Sequence, residues 1–106
     1  MEWRIKSKFK EVQLPNFTVR IELHDANWDD YNALHIAMEQ RGFSRLIRGD
    51  NGVTYRMPWA EYNGSGQLSC AQIRDAAQQA ANGTGKNNSV LVTEAVSRAW
   101  SGLQVA

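Results

Sequence analysis

Polar and apolar positions between Asn16 and Asp25 alternate without a break. Phe17, Val19, Ile21 and Leu23 occupy one parity; Thr18, Arg20, Glu22 and His24 occupy the other. A period of two sends successive side chains to opposite faces, so the segment predicts a strand with one buried face. The period then changes. Trp28, Tyr31, Leu34 and Met38 recur at helical spacing, Asn27 and Asp30 stand as a capping box, and Gly42 followed by Phe43 suits a helix C-terminus. The spacing predicts a helix over 28–41.

Beyond it, segments 43–48 and 53–57 flank Gly49-Asp50-Asn51-Gly52, which reads as a β-hairpin closing before Pro58. Residues 63–66, rich in Gly and Ser, read as a loop. Ser69 and Gln72 form an S-x-x-Q capping box, with Leu68 and Ile73 at the staple positions, so a second helix begins there. It carries Cys70, Ile73, Ala77 and Ala80 on one stripe and stops at Asn82-Gly83. Val90 to Thr93 is a last strand. The stretch 94–106 reads either as a short hairpin return or as a terminal turn around Trp100. At the other end Trp3, Ile5 and Phe9 alternate with Arg4, Lys6, Lys8 and Lys10, as in an extra edge strand or a mobile arm.

Strand, helix, strand, strand, helix, strand is the order of a ferredoxin-like split β-α-β (βαββαβ) fold. The α+β expectation is a four-stranded antiparallel sheet with two helices on one face. Residues 1–16 form the basic arm or extra strand and 17–106 the domain. Strands one and three would be central neighbours. Thr18, Arg20, Glu22 and His24 would then share the open face with Thr54 and Arg56, a face that meets solvent, nucleic acid or a second subunit.

Composition narrows this picture. With 106 residues and 42% hydrophobic content, the chain suits one domain with one modest core. No apolar run approaches the roughly 20 residues of a membrane span, and residues 1–10 lack a signal-peptide apolar block, so a cytoplasmic protein is expected. The single cysteine, Cys70, leaves no internal disulfide and reads as a small core residue. The net charge is +1, distributed unevenly. Arg4, Lys6, Lys8 and Lys10 face only Glu2 in the first ten residues. Arg41, Arg45, Arg48 and Arg56 face only Asp50 between 41 and 56. The body is therefore not a strongly basic nucleic-acid binder, yet it carries a local arginine excess.

Known chemical motifs are few. The two histidines stand eleven apart and the cysteine is far from both, so no metal site and no cofactor are expected. Gly83-Thr84-Gly85-Lys86 is a glycine-rich turn and not a complete phosphate loop. His35, beside the apolar stripe of the first helix, reads as a packed histidine. His24 and Asp25 are the stronger pair, because the end of a strand delivers a general acid or base and a carboxylate to the sheet edge. The competing reading makes Asp25 a partner for backbone donors before the helix and His24 a solvated strand residue. Arg20, Arg45, Arg48 and Arg56 have the planar forks that clamp phosphate, or else form a solvated face. Tyr55 and Tyr62 are candidates to stack on bases or to pack internally.

The stretches TVRIELHDANWDDYNALHIAMEQRGFSR, GVTYRMPWAEY and SVLVTEAVSRAWSGL resemble the GhoS family of type V toxin-antitoxin endoribonuclease antitoxins, over about residues 17–103. The resemblance implies a Cas2-like ferredoxin fold that dimerises. It also implies a protein that silences a small membrane-active toxin by cutting the toxin's messenger RNA, and Asp25 matches the acid that ends strand one in that family. Two expectations follow. In the first, the protein is a metal-independent endoribonuclease. His24 is then its base or acid, Asp25 orients it, and Arg20, Arg45, Arg48, Arg56 and Tyr55 bind RNA. In the second, it is a non-catalytic dimeric binding or regulatory module, with Trp3, Trp59 or Trp100 at a subunit interface. RNA and a second copy of the chain are the expected partners; DNA and membrane are not.

Overall fold

The structure, a computed structural model, describes residues 14–106. The reading of the basic N-terminal arm falls on residues outside that range. Seven elements follow in order: β1 (Asn16–Leu23), α1 (Trp28–Gln40), β2 (Leu46–Arg48), β3 (Thr54–Arg56), β4 (Glu61–Ser65), α2 (Cys70–Asn82) and β5 (Asn88–Ala95). The class is α+β, with antiparallel pairing throughout both sheets.

β1 is the axis of the fold. Its predicted alternation is realised, with Phe17, Val19, Ile21 and Leu23 buried. These four meet Leu34 and Met38 of α1 and Ile73, Ala77, Ala80 and Ala81 of α2 in one cluster, so both helices cover the same face of the sheet. Burying a large aliphatic or aromatic side chain typically stabilises by ~1.5–3 kcal/mol, which makes this cluster the main attractive term. Both helices start where the sequence places them. At each, the N-cap side chain accepts from the backbone three residues on, and that residue's side chain accepts from the cap in return. Gly42 has φ +87°, the left-handed geometry that ends α1.

The four-stranded sheet is not formed. The main sheet has three strands in the order β4-β1-β5, and β2-β3 is a separate two-stranded hairpin. The strand beside β1 is therefore not the segment 53–57 but Glu61–Ser65, part of which reads as a loop in sequence. The reason is a tertiary contact. A Cβ on Gly64 would lie 2.8 Å from Cδ1 of the buried Phe43 ring, so only glycine lets this strand approach the residue that follows α1. A fourth position beside β4 is held by one residue, through the antiparallel bridge Ser44↔Asn63. The chain then leaves the sheet edge and builds the hairpin, whose register pairs Leu46 with Arg56, Ile47 with Tyr55 and Arg48 with Thr54. Consequently Thr54 and Arg56 do not join Arg20 on the open face.

Two other expectations change. Trp28 is 67% exposed and so lies outside the core stripe of α1; its ring stacks on Trp59 at a centroid distance of 4.8 Å. Residues beyond β5 form neither a return hairpin to β5 nor a simple turn. They run back to the hairpin, where Arg56 N–H donates to the Gln104 carbonyl and Ala106 N–H to that of Thr54, extending the β3 edge. Among the described residues no helix is long and apolar enough to cross a membrane.

Candidate functional site

The outward parity of β1 builds an uncovered surface. Thr18 faces Asn63 and Thr93, Arg20 faces Glu61 and Leu91, and Glu22 faces Ser89. Arg20 Nη1 lies 3.4 Å from Glu61 Oε2, an exposed pair that solvent weakens. His24 ends the row. Its Nε2 is 3.1 Å from Ser89 Oγ and 3.8 Å from Glu22 Oε1, so both neighbours address the same ring nitrogen and Nδ1 is left to act separately. This is not the triad geometry, in which nucleophile and orienting acid take opposite nitrogens. Asp25 follows in an exposed turn with φ +52°, a left-handed geometry that Asp tolerates better than most residues. Among the described residues, the hydrogen-bond partner of the His24 ring is Ser89 and not Asp25.

At the other end of β1 the chain after β5 crosses the open face. Arg98 Nη1 donates to Thr18 Oγ1 at 3.2 Å and to Asn63 Oδ1 at 3.0 Å. Burial holds the Arg98 pKa below its ordinary value. Between this segment and the hairpin lies a cleft of about 570 Å³ lined by Arg48, Tyr55, Arg98 and Trp100, with Asp50 as its acid. The rings of Tyr55 and Trp100 meet edge to face at 5.7 Å, and the Tyr55 hydroxyl accepts from Asn51 Nδ2 at 3.0 Å. Two guanidinium groups beside two aromatic rings make a surface suited to a phosphodiester strand with unstacked bases.

A third region lies around Trp59. Tyr62 is fully buried and His35 is 5% exposed, with Nδ1 of His35 2.6 Å from the Tyr62 hydroxyl. Burial, and next the Arg45 charge, lower the His35 pKa; Glu39 opposes them. Burial likewise pushes the Tyr62 phenol well above its ordinary value. Both rings are therefore neutral near pH 7, and the short bond between them carries one proton, from the Tyr62 hydroxyl or from Nδ1 according to the His35 tautomer. The other ring nitrogen, Nε2, is buried with no hydrogen-bond partner among the described residues, and so is Nε–H of Arg45. Trp59 covers His35 edge to face at 4.9 Å.

The sequence candidates are thus distributed over three surfaces. His24, Asp25 and Arg20 belong to the open face, Arg48 and Tyr55 to the cleft, and Arg45 and Arg56 to hollows beside Trp59. Sequence reasoning overlooked Arg98, although its neighbour Trp100 offers an arginine-aromatic pairing as a signal. Ser89 and Asn63 become partners only through strand register. Among the described residues no three His, Cys, Asp or Glu side chains converge as a metal site would require. Compared with known proteins, the chain matches no family model and no curated protein.

Proposed function

We propose that the protein is a cytoplasmic endoribonuclease antitoxin of the type V kind, cutting the messenger RNA of a small membrane-active toxin without a metal. The observation that carries the catalytic part is His24, exposed at the end of the open face with Nε2 held by Ser89 and Glu22. The three resembling stretches support the choice of RNA and of an antitoxin role.

A single strand enters at the cleft, where Arg48 and Arg98 take phosphates and Tyr55 or Trp100 takes a base. It then follows β1 for roughly 20 Å, at ~3.3 Å per residue, from Thr18 to His24. With its Nε2–H directed to Ser89 or Glu22, His24 offers the Nδ1 lone pair to the ribose 2′-OH. As that proton transfers, the 2′-oxygen bonds to phosphorus and the P–O5′ bond breaks. The leaving 5′-oxygen takes a proton from water, which gives a 2′,3′-cyclic phosphate and a 5′-hydroxyl. In this reading Arg20, on the same open face, supplies positive charge to the phosphodiester backbone of the bound strand. Asp25 shapes the turn that presents His24.

Incubation of the purified protein with mixed RNA, with and without EDTA, tests the reading. Cleavage unaffected by EDTA and ending in cyclic phosphate supports it; RNA intact at high protein excess contradicts it. A second reading, a non-catalytic dimeric module, draws on the exposed Trp28–Trp59 stack, since large aromatic surfaces of this kind are enriched at interfaces. Dimerisation lost in Trp28→Ala together with intact RNA would favour it.

A further inference from the structure

β5 is the outer strand of the main sheet, in the order β4-β1-β5, and its far side has no partner strand among the described residues. The ladder decides which backbone groups it presents there. His24 N–H donates to the Asn87 carbonyl, and the register continues as Glu22↔Ser89, Arg20↔Leu91 and Thr18↔Thr93, so the odd-numbered residues of β5 bond to β1. Asn88, Val90, Val92 and Glu94 therefore turn N–H and C=O outward along the edge. That edge is apolar on both faces. Val90 and Val92, half-buried, pack against the core on the helix side, and Leu91, 63% exposed, stands on the open face. β5 also lacks the usual protection of an edge: it has no proline, no lysine and no bulge in its register with β1, and Glu94 is its one charge.

An edge of this kind accepts an added strand, and the sequence of β5 indicates which one. Under a twofold axis two copies of β5 run antiparallel, and the position of the axis fixes every pair. With the axis at Leu91, Asn88 faces the partner's Glu94 and Val90 faces the partner's Val92, so all four outward residues enter about eight backbone hydrogen bonds. An axis at Val90 or Val92 instead sends one of the four beyond the strand, opposite position 86 or 96. The Leu91 register also matches side chains. Leu91 meets its own copy in a non-hydrogen-bonded pair, where side chains approach most closely, and the valines meet on the helix side. Glu94 falls opposite an uncharged residue. We propose that β5 is a dimer interface, at which a second copy of this chain adds its own β5 antiparallel about Leu91 and joins the two three-stranded sheets into one. An axis normal to the sheet puts all helices on one side and both open faces on the other, so the two Arg20 rows share one surface. This interface stands without the RNA reading and does not use the Trp28–Trp59 stack.

Sedimentation equilibrium on the full chain is expected to show a concentration-dependent dimer, with amide exchange at Val90 and Val92 slowing as the dimer forms. Leu91→Glu brings two carboxylates together at the axis, while within its own chain the new side chain lies beside Arg20. Association then weakens about tenfold or more, and the thermal midpoint of dilute protein is unchanged. A disulfide reads the register. In a Cys70→Ser background, Leu91→Cys puts two Cα atoms about 4.5 Å apart, within disulfide range, and oxidation links the copies. Val96→Cys, fully exposed but beyond the strand, links far more slowly. A chain that stays monomeric at every concentration overturns the proposal, including one whose Val90 and Val92 amides are already protected, since the chain's own N-terminal residues then hold the edge. A dimer that Leu91→Glu leaves intact, or that Leu91→Cys fails to link, overturns it as well, because the copies then meet elsewhere.

Discussion

Arg98 donates to Thr18 across 80 positions of sequence, and the same Nη1 also reaches Asn63, so one guanidinium joins the segment after β5 to both β1 and β4. Its charge faces the cleft shared with Arg48 and Trp100. Arg98→Ala removes two charge-assisted bonds and, under the proposed function, one phosphate contact with them. The expected result is weaker RNA binding and a log–log salt slope shallower by about one unit, as one phosphate contact contributes. Titration of RNA binding at several salt concentrations reads this directly.

The His35–Tyr62 pair makes stability depend on pH from both sides. Burial and Arg45 keep the folded His35 pKa below the 6.5 of the unfolded chain. Below that value the unfolded chain gains a proton that the folded site resists, so stability is full above about pH 6.5 and falls as the pH drops. Tyr62 acts in the opposite direction: the unfolded phenol ionises near 10.0 while the folded one stays protonated, and stability falls as pH rises above that. Denaturant unfolding across pH checks both limbs. His35→Gln is expected to flatten the acid limb and Tyr62→Phe the alkaline one. Each variant also leaves a buried group unpaired, at a cost of about 1–3 kcal/mol.

Gly64 is a packing requirement. An added Cβ would lie 2.8 Å and 2.9 Å from two ring carbons of Phe43, which is itself buried. Gly64→Ala is expected to destabilise by about 1–3 kcal/mol through overpacking. Gly66→Ala, where the nearest atoms are those of the exposed Leu68 side chain at 3.6 Å and beyond, should cost less. Thermal unfolding of the two variants separates the cases.

These residues also mark the boundary of what the sequence discloses. β1 and both helices are legible because period, capping boxes and C-terminal glycine act within a few residues of one another. β4 is not, because its pattern is set from elsewhere: in Glu61-Tyr62-Asn63-Gly64-Ser65 only Tyr62 signals a buried strand, and Gly64 is explained by Phe43. The same holds for the site. Asp25 at the strand end and the arginine-rich 41–56 stretch are visible in sequence, but strand pairing decides that Arg56 leaves the open face while Arg98 and Ser89 enter the candidate surfaces. Helical spacing alone puts Trp28 on the core stripe, whereas the stack with Trp59 holds it outside the core.

In the proposed reaction His24 performs the proton transfer on RNA. The decisive comparison is cleavage of a defined single-stranded RNA by His24→Ala and by the unaltered protein, both in EDTA. General acid–base catalysis contributes ~10²–10⁴-fold, so the rate should fall on that scale. RNA binding and the thermal unfolding midpoint should stay unchanged, because the ring is exposed and outside the core. An unaltered cleavage rate in a folded His24→Ala protein would remove His24 from the reaction.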